Sequence, residues 1–112
     1  IINSSNPLGY HQDGGNFDDV MSCMIVLKKG MQGGHLMLPE YDIGFEIADN
    51  TVFLFDGQKI WHGVTPMIPK FKGAYRYSLV YYTLKNMVHC KPMVEEIERI
   101  RKKTFNKLLN NK

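Results

Sequence analysis

His11, Asp13 and His62 can together ligate a metal ion in this 112-residue chain. In an extended segment, positions i and i+2 point to the same side. His11 and Asp13, in the segment His11-Gln12-Asp13, can therefore offer an imidazole nitrogen and a carboxylate oxygen to one ion. His62 follows Asp13 by 49 residues, and hairpin folding can return it to the same place. Two histidines and one carboxylate on one face of an ion leave three positions open, the arrangement non-haem Fe(II) uses for oxygen chemistry. Two of those positions suit a bidentate cosubstrate and the third suits O₂.

A third element sits 14 residues past His62. Arg76 interrupts the apolar run Ala74-Tyr75-Arg76-Tyr77-Ser78-Leu79-Val80. A guanidinium inside such a strand is costly unless paired, and its planar fork binds a carboxylate through two parallel hydrogen bonds. Ser78 shares its face and can add a hydroxyl. Together they describe a pocket for a dicarboxylate whose other end chelates the metal. Asn16, just after Gly14-Gly15, is a further candidate for that pocket. Each residue also has a structural reading. His11 and Asp13 can form a carboxylate-capped imidazole in a turn, and His62 can be a hydrogen-bonded core histidine. Arg76 can sit in a structural ion pair, Ser78 can bond a neighbouring backbone group, and Asn16 can be an ordinary turn residue.

These residues must be positioned by strands. Signals fall at Gly9 to Asp13, Val20 to Leu27, His35 to Leu38, Ile43 to Ile47, Thr51 to Phe55, Ile60 to Thr65 and Ala74 to Thr83. Breaks at Lys28-Lys29-Gly30, Pro39, Asp49-Asn50, Asp56-Gly57 and Pro66 separate them. Short strands at this spacing suggest an antiparallel barrel or double-sheet jelly roll. The expected N-terminal strand is either missing or confined to residues 1–6. After Lys91 the period changes to that of a helix. Pro92 suits a first-turn position. Val94, Ile97, Ile100, Phe105 and Leu108 then form one apolar stripe against a face carrying Glu95, Glu98, Arg99, Lys102 and Lys103. The chain thus divides into a β core over 1–91 and a basic amphipathic helix over 92–112, packed on the core or extending from it.

The formal net charge is +3, and its distribution is uneven. Residues 1–90 hold seven Lys/Arg against eight Asp/Glu, whereas residues 91–112 hold seven against three. A basic tail permits contact with nucleic acid. Ordinary globular composition excludes general disorder. No apolar run approaches the ~18 residues of a membrane span, so no membrane partner is expected. Cys23 and Cys90 are too few for a disulfide scaffold and read as reduced thiols, which places the chain inside a cell, in a nuclear, cytoplasmic or viral setting.

His11-x-Asp13, Gly33-Gly34-x-Leu36, Trp61-His62-Gly63-Val64-Thr65-Pro66 and Arg76-Tyr77-Ser78 together resemble the Fe(II)/2-oxoglutarate-dependent dioxygenases over roughly residues 8–83. The resemblance implies a mainly β fold, the double-stranded β-helix of the jelly-roll and cupin-like class. It implies that His11, Asp13 and His62 hold Fe(II), and that Arg76 pairs with the distal carboxylate of 2-oxoglutarate, with O₂ as the oxidant. Within that superfamily the chain is most similar to the TET/JBP group, which oxidises the methyl group of 5-methylcytosine or thymine in DNA. The similarity lies in Asn16 after the His-x-Asp, the stretch from Gly33 to Pro39, the segment from His62 to Pro66, and the strand from Arg76 to Val80. The cysteine-rich region and N-terminal DNA-contacting segments of animal TET proteins have no counterpart here. A flipped-out base would be served by stacking aromatics, for which Tyr10, Phe17, Tyr75 and Tyr77 are the candidates.

The expected activity is therefore hydroxylation of a C–H bond, on the methyl group of a DNA base. Two alternatives remain at this level. One is the same chemistry on a protein side chain or a small molecule. The other is a non-catalytic β-barrel that binds without turnover.

Overall fold

A computed structural model describes residues 2–110, with Asn110 described in its backbone only. Ile1, Asn111 and Lys112, which the expected N-terminal segment and C-terminal helix include, lie outside the described residues. The chain is mainly β, with several antiparallel sheets and a C-terminal helix.

The strands are β1 (Ile2–Ser4), β2 (Ser22–Lys29), β3 (Met31–Gly33), β4 (Leu36–Leu38), β5 (Ile43–Phe45), β6 (Thr51–Phe55), β7 (Gly63–Val64), β8 (Met67–Pro69) and β9 (Tyr75–Tyr81). The largest sheet has the order β1-β9-β2-β6 and is antiparallel throughout. A second has the order β5-β4-β7. It is continued beyond β7 by residues 8–11, because the Val64 N–H donates to Leu8 O and His11 pairs with His62. A small ribbon joins β3 to β8.

Side-chain alternation explains where the core lies. On β2, Ser22, Met24 and Val26 are buried while Leu27 and Lys29 are exposed. On β9 the inward residues are Arg76 and Ser78. Met24, Val26, Leu36 and Ile47 are the buried hydrophobic centre, with Leu38, Phe53 and Val80 against it. The core thus fills the space between the two larger sheets.

Several strand boundaries differ from those read in the sequence. The break expected over Lys28-Lys29-Gly30 falls at Gly30 alone, and β2 runs through both lysines. The Lys28 stem follows the inward side, and its Nζ donates to Gly33 O at 2.9 Å and Ile47 O at 3.1 Å, so the charge is met by carbonyls. β3 and β8 were not signalled. Gly30, at φ 65°, turns the chain directly from β2 into β3, and Pro66 precedes a strand rather than a loop. Gly9 to Asp13 forms only the isolated His11 bridge, and Ile60 to Thr65 forms regular strand only at β7. The N-terminal strand is present as the three residues of β1.

The helix α1 (Met93–Asn110) begins just after Pro92, which stands one residue before the first-turn position expected for it and whose carbonyl accepts the Glu96 N–H at 3.1 Å. Val94, Ile97, Ile100, Phe105 and Leu108 are all exposed. No helix among the described residues is long and apolar enough to cross a membrane.

Candidate metal and anion site

His11 and His62 face each other across an antiparallel bridge. The His11 N–H donates to His62 O at 2.9 Å, and the His62 N–H donates to His11 O at 3.0 Å. Each ring is then held by its own strand. His11 Nδ1 lies 2.8 Å from Gly9 O, and His62 Nδ1 lies 2.9 Å from Ile60 O. A carbonyl only accepts, so in the neutral rings Nδ1 carries the hydrogen and Nε2 keeps its lone pair. The two Nε2 atoms approach the same oxygen, Asp13 Oδ1, at 3.6 and 3.8 Å.

The loops that deliver these side chains are tied locally. The Asp13 N–H donates to Gly57 O at 2.8 Å. Gln12, between His11 and Asp13, donates from Nε2 to Lys59 O at 2.7 Å. Asp56 holds the turn before His62, its Oδ1 accepting the N–H groups of Gln58 and Lys59. Phe55 packs edge-on to the His62 ring with centroids 4.9 Å apart. His62 and Asp13 side chains are 8% and 11% exposed and His11 36%, so the site opens to solvent on the His11 side.

The three donor atoms lie within 4.8 Å of one another. The Nε2 to Oδ1 separations are too long for hydrogen bonds. Two imidazole lone pairs and a carboxylate converging without a proton shared between them are a donor set suited to a divalent transition metal. The residues present fit such an ion.

Arg76 lies in the same cleft. A small cleft, about 40 Å³ in volume, is lined by His11, Asp13 and His62 together with Arg76 and Ser78. Arg76 is 2% exposed, and among the described residues its Nε and Nη2 have no hydrogen-bond partner. Burial pulls the guanidinium pKa below its usual value. The strand is held by its backbone instead. The Ser5 N–H donates to Arg76 O at 2.7 Å, and the Arg76 N–H donates to Ser5 Oγ at 3.3 Å. Gly34, at φ 72°, packs against the Arg76 side chain, where a Cβ would come within 2.8 Å of Cδ. Apolar walls from Met24, Leu36, Val64 and Val80 separate the cation from bulk water.

The other expected residues fall differently. Ser78 is buried beside Arg76 and lines the cavity. Asn16 is also buried but does not line it. Its Nδ2 donates to Ser22 Oγ at 3.3 Å, and its backbone bridges Leu84. It braces the sheet rather than the cleft. Tyr75 and Tyr77 stack on each other with centroids 5.3 Å apart, alternating with Arg76 on β9, so neither lines the cavity. Tyr10 is exposed and lies along a separate groove with Gly63 and Pro66.

Three cleft residues were missed. Asn3 and Asn6 line the cavity, and Asn3 stands opposite Ser78 in the β1–β9 register. Tyr82 lines it as well, and burial, then the charge of Asp13, push its phenol above the usual value. An amide or phenol outside any motif carries no signal until β1 and β9 are paired. Neither a protein-family model nor a curated protein matches the sequence.

Proposed function

We propose that this chain is an Fe(II)- and 2-oxoglutarate-dependent dioxygenase that hydroxylates a C–H bond. The observation that carries the reading is Arg76. A buried guanidinium with two unpartnered nitrogens, in one cleft with a His/Asp/His donor set, calls for an anion that also reaches the metal. A 2-oxo dicarboxylate has that shape, with a chelating keto-carboxylate at one end and a free carboxylate at the other.

In this reading His11, Asp13 and His62 hold Fe(II), and Arg76 and Ser78 receive the distal carboxylate. Bound together, Fe(II) and 2-oxoglutarate supply the oxidising power to place one oxygen atom of O₂ into a C–H bond, with succinate and CO₂ as co-products. The protein's part is to fix the ligands, orient the cosubstrate and exclude water. The Nδ1 hydrogen bonds of the two histidines aim both Nε2 lone pairs at the ion. Leu36, Val64 and Val80 keep the cleft dry.

The sheet order supports a double-stranded β-helix. One array runs β1-β9-β2-β6 and the other runs residues 8–11, β7, β4, β5, so each interleaves early and late elements of the chain. The resemblance to the TET/JBP group directs the substrate towards the methyl group of 5-methylcytosine or thymine in DNA, and the basic α1 is compatible with that polyanion.

Anaerobic titration with Fe(II) and then 2-oxoglutarate tests the proposal. A visible metal-to-ligand charge-transfer band should appear with the wild type and be absent from His62→Ala. A folded wild-type protein that gives no band overturns it and favours a binding barrel. If the band forms, turnover of 5-methylcytosine DNA decides between a nucleobase and another substrate.

A further inference from the structure

We infer that Gly57 is a positioning residue that sets the Asp13 carboxylate. The inference rests on reading His11, Asp13 and His62 as metal ligands. Gly57 is not required by its backbone, because its φ lies outside the left-handed region where glycine is favoured. It is required by space. A Cβ at this position would stand 2.3 Å from Asp13 Oδ2, 3.2 Å from Asp13 Cγ and 3.3 Å from Phe55 Cε2.

The same residue also grips the Asp13 backbone. Its carbonyl accepts the Asp13 N–H at 2.8 Å, while its own N–H donates to Phe55 O at 3.0 Å. Among the described residues, the Asp13 carboxylate is approached by the two imidazole Nε2 atoms on the side towards the cleft. Among the described residues no hydrogen-bond donor pulls the other oxygen towards Gly57. The carboxylate therefore rests against bare backbone, and that contact limits its rotation. Phe55 closes the sideways route, since its ring is already packed on His62.

An added methyl leaves two ways out. Either the Asp13 carboxylate swings away from the two Nε2 atoms, or the 57–13 backbone hydrogen bond parts and carries Asp13 with it. Each displaces one donor relative to the other two, and the ion needs all three at once.

The test uses the full chain with Gly57→Ala, and with Gly14→Ala as control. Gly14 adjoins Asp13, has an ordinary φ, and has nothing within 4 Å of a built Cβ. Anaerobic Co(II) titration, followed by ligand-field absorption, should give the same Kd for wild type and Gly14→Ala. Gly57→Ala should bind about tenfold to a hundredfold more weakly, the range seen when residues that orient ligands are lost. An unchanged Kd for Gly57→Ala overturns the inference. A second measurement needs no metal. If the methyl collides with the carboxylate, Asp13→Ala should restore most of the thermal stability lost in Gly57→Ala, including the case where Gly57→Ala alone does not fold. Additive losses in that double-mutant cycle overturn the inference. A wild type that binds no Co(II) overturns the metal reading, and the cycle still decides whether Gly57 sets Asp13.

Discussion

His11 and His62 exchange both backbone hydrogen bonds of a single β-bridge, and each ring is anchored through Nδ1 to the carbonyl two residues before it. The two imidazoles are therefore fixed by the same local device on two separate segments, which leaves both Nε2 atoms free to face Asp13. Removing a ring leaves the bridge intact, because the bridge is backbone. His11→Ala and His62→Ala should both fold and both lose Co(II) binding. Their stabilities should differ. His11 is half-exposed, so its loss should cost little, whereas the His62 ring is buried against Phe55 and its loss should cost about 1–3 kcal/mol. Metal titration and thermal melts on the same samples check this, and retained binding in either variant removes that histidine from the ligand set.

Arg76 carries a buried guanidinium whose Nε and Nη2 have no hydrogen-bond partner among the described residues, and burying such a cation is costly. Arg76→Met keeps a long unbranched stem and removes the charge. It should stabilise the ligand-free protein by about 1–3 kcal/mol, as replacing buried charge by apolar volume can do. It should also abolish the rise in Tm that 2-oxoglutarate gives the wild type. A lower Tm for Arg76→Met without ligand would mean that the guanidinium has a structural partner.

The approach to Arg76 depends on two consecutive glycines with φ of 79° and 72°. At Gly33 a Cβ would stand 2.0 Å from Pro66 O, and at Gly34 it would press on the Arg76 stem. Gly73 supplies a comparison, because its φ is also positive but nothing lies within 4 Å. Gly73→Ala should cost only backbone strain, about 1 kcal/mol. Gly33→Ala should cost clearly more, because backbone cannot yield as a side chain can. Gly34→Ala should lie between them, and of the three it alone should raise the 2-oxoglutarate concentration needed for half-saturation. Equal melts for all three would contradict the packing described around Arg76.

The parts of the cleft visible in the sequence are those with charge or metal-ligand chemistry. His11, Asp13, His62, Arg76 and Ser78 stand out because a histidine-carboxylate pair at i, i+2 can offer two ligands to one ion, and because a cation in an apolar strand is costly unless paired. The structure brings these five to one cavity. Gly57, Asn3, Asn6 and Tyr82 were not legible, because their roles exist only after the segments meet. Asn16 misleads in the opposite way. It lies near the His-x-Asp in sequence, yet the chain turns between them and commits it to Ser22. For the fold, alternation located the long strands well. It failed at Lys28, where a polar head on an apolar stem satisfies itself against carbonyls, and at β3 and β8, whose three residues each are too few to show a period.

Helix α1 offers a prediction about pH. Its apolar stripe is exposed, so packing contributes little, and an unpacked helix depends on its ends. Glu96 secures the first turn. Its Oε1 accepts the Lys91 N–H at 2.9 Å, and its Oε2 lies 2.7 Å from Arg99 Nη2. The hydrogen bond from the Lys91 N–H, with the Arg99 charge helping, holds the Glu96 carboxyl below its usual pKa. A carboxyl with a depressed folded pKa stabilises the folded form above its unfolded value, and that stabilisation is lost as pH falls through the folded pKa. The amide signals of α1 should therefore broaden and lose helical character on acidification below the ordinary glutamate range, ahead of any change in β2 or β9. Glu96→Gln should show partial fraying of the first turn already at neutral pH, and a smaller acid step. An identical acid step in Glu96→Gln would assign the transition to Glu95 or Glu98, and the capping role of Glu96 would fall.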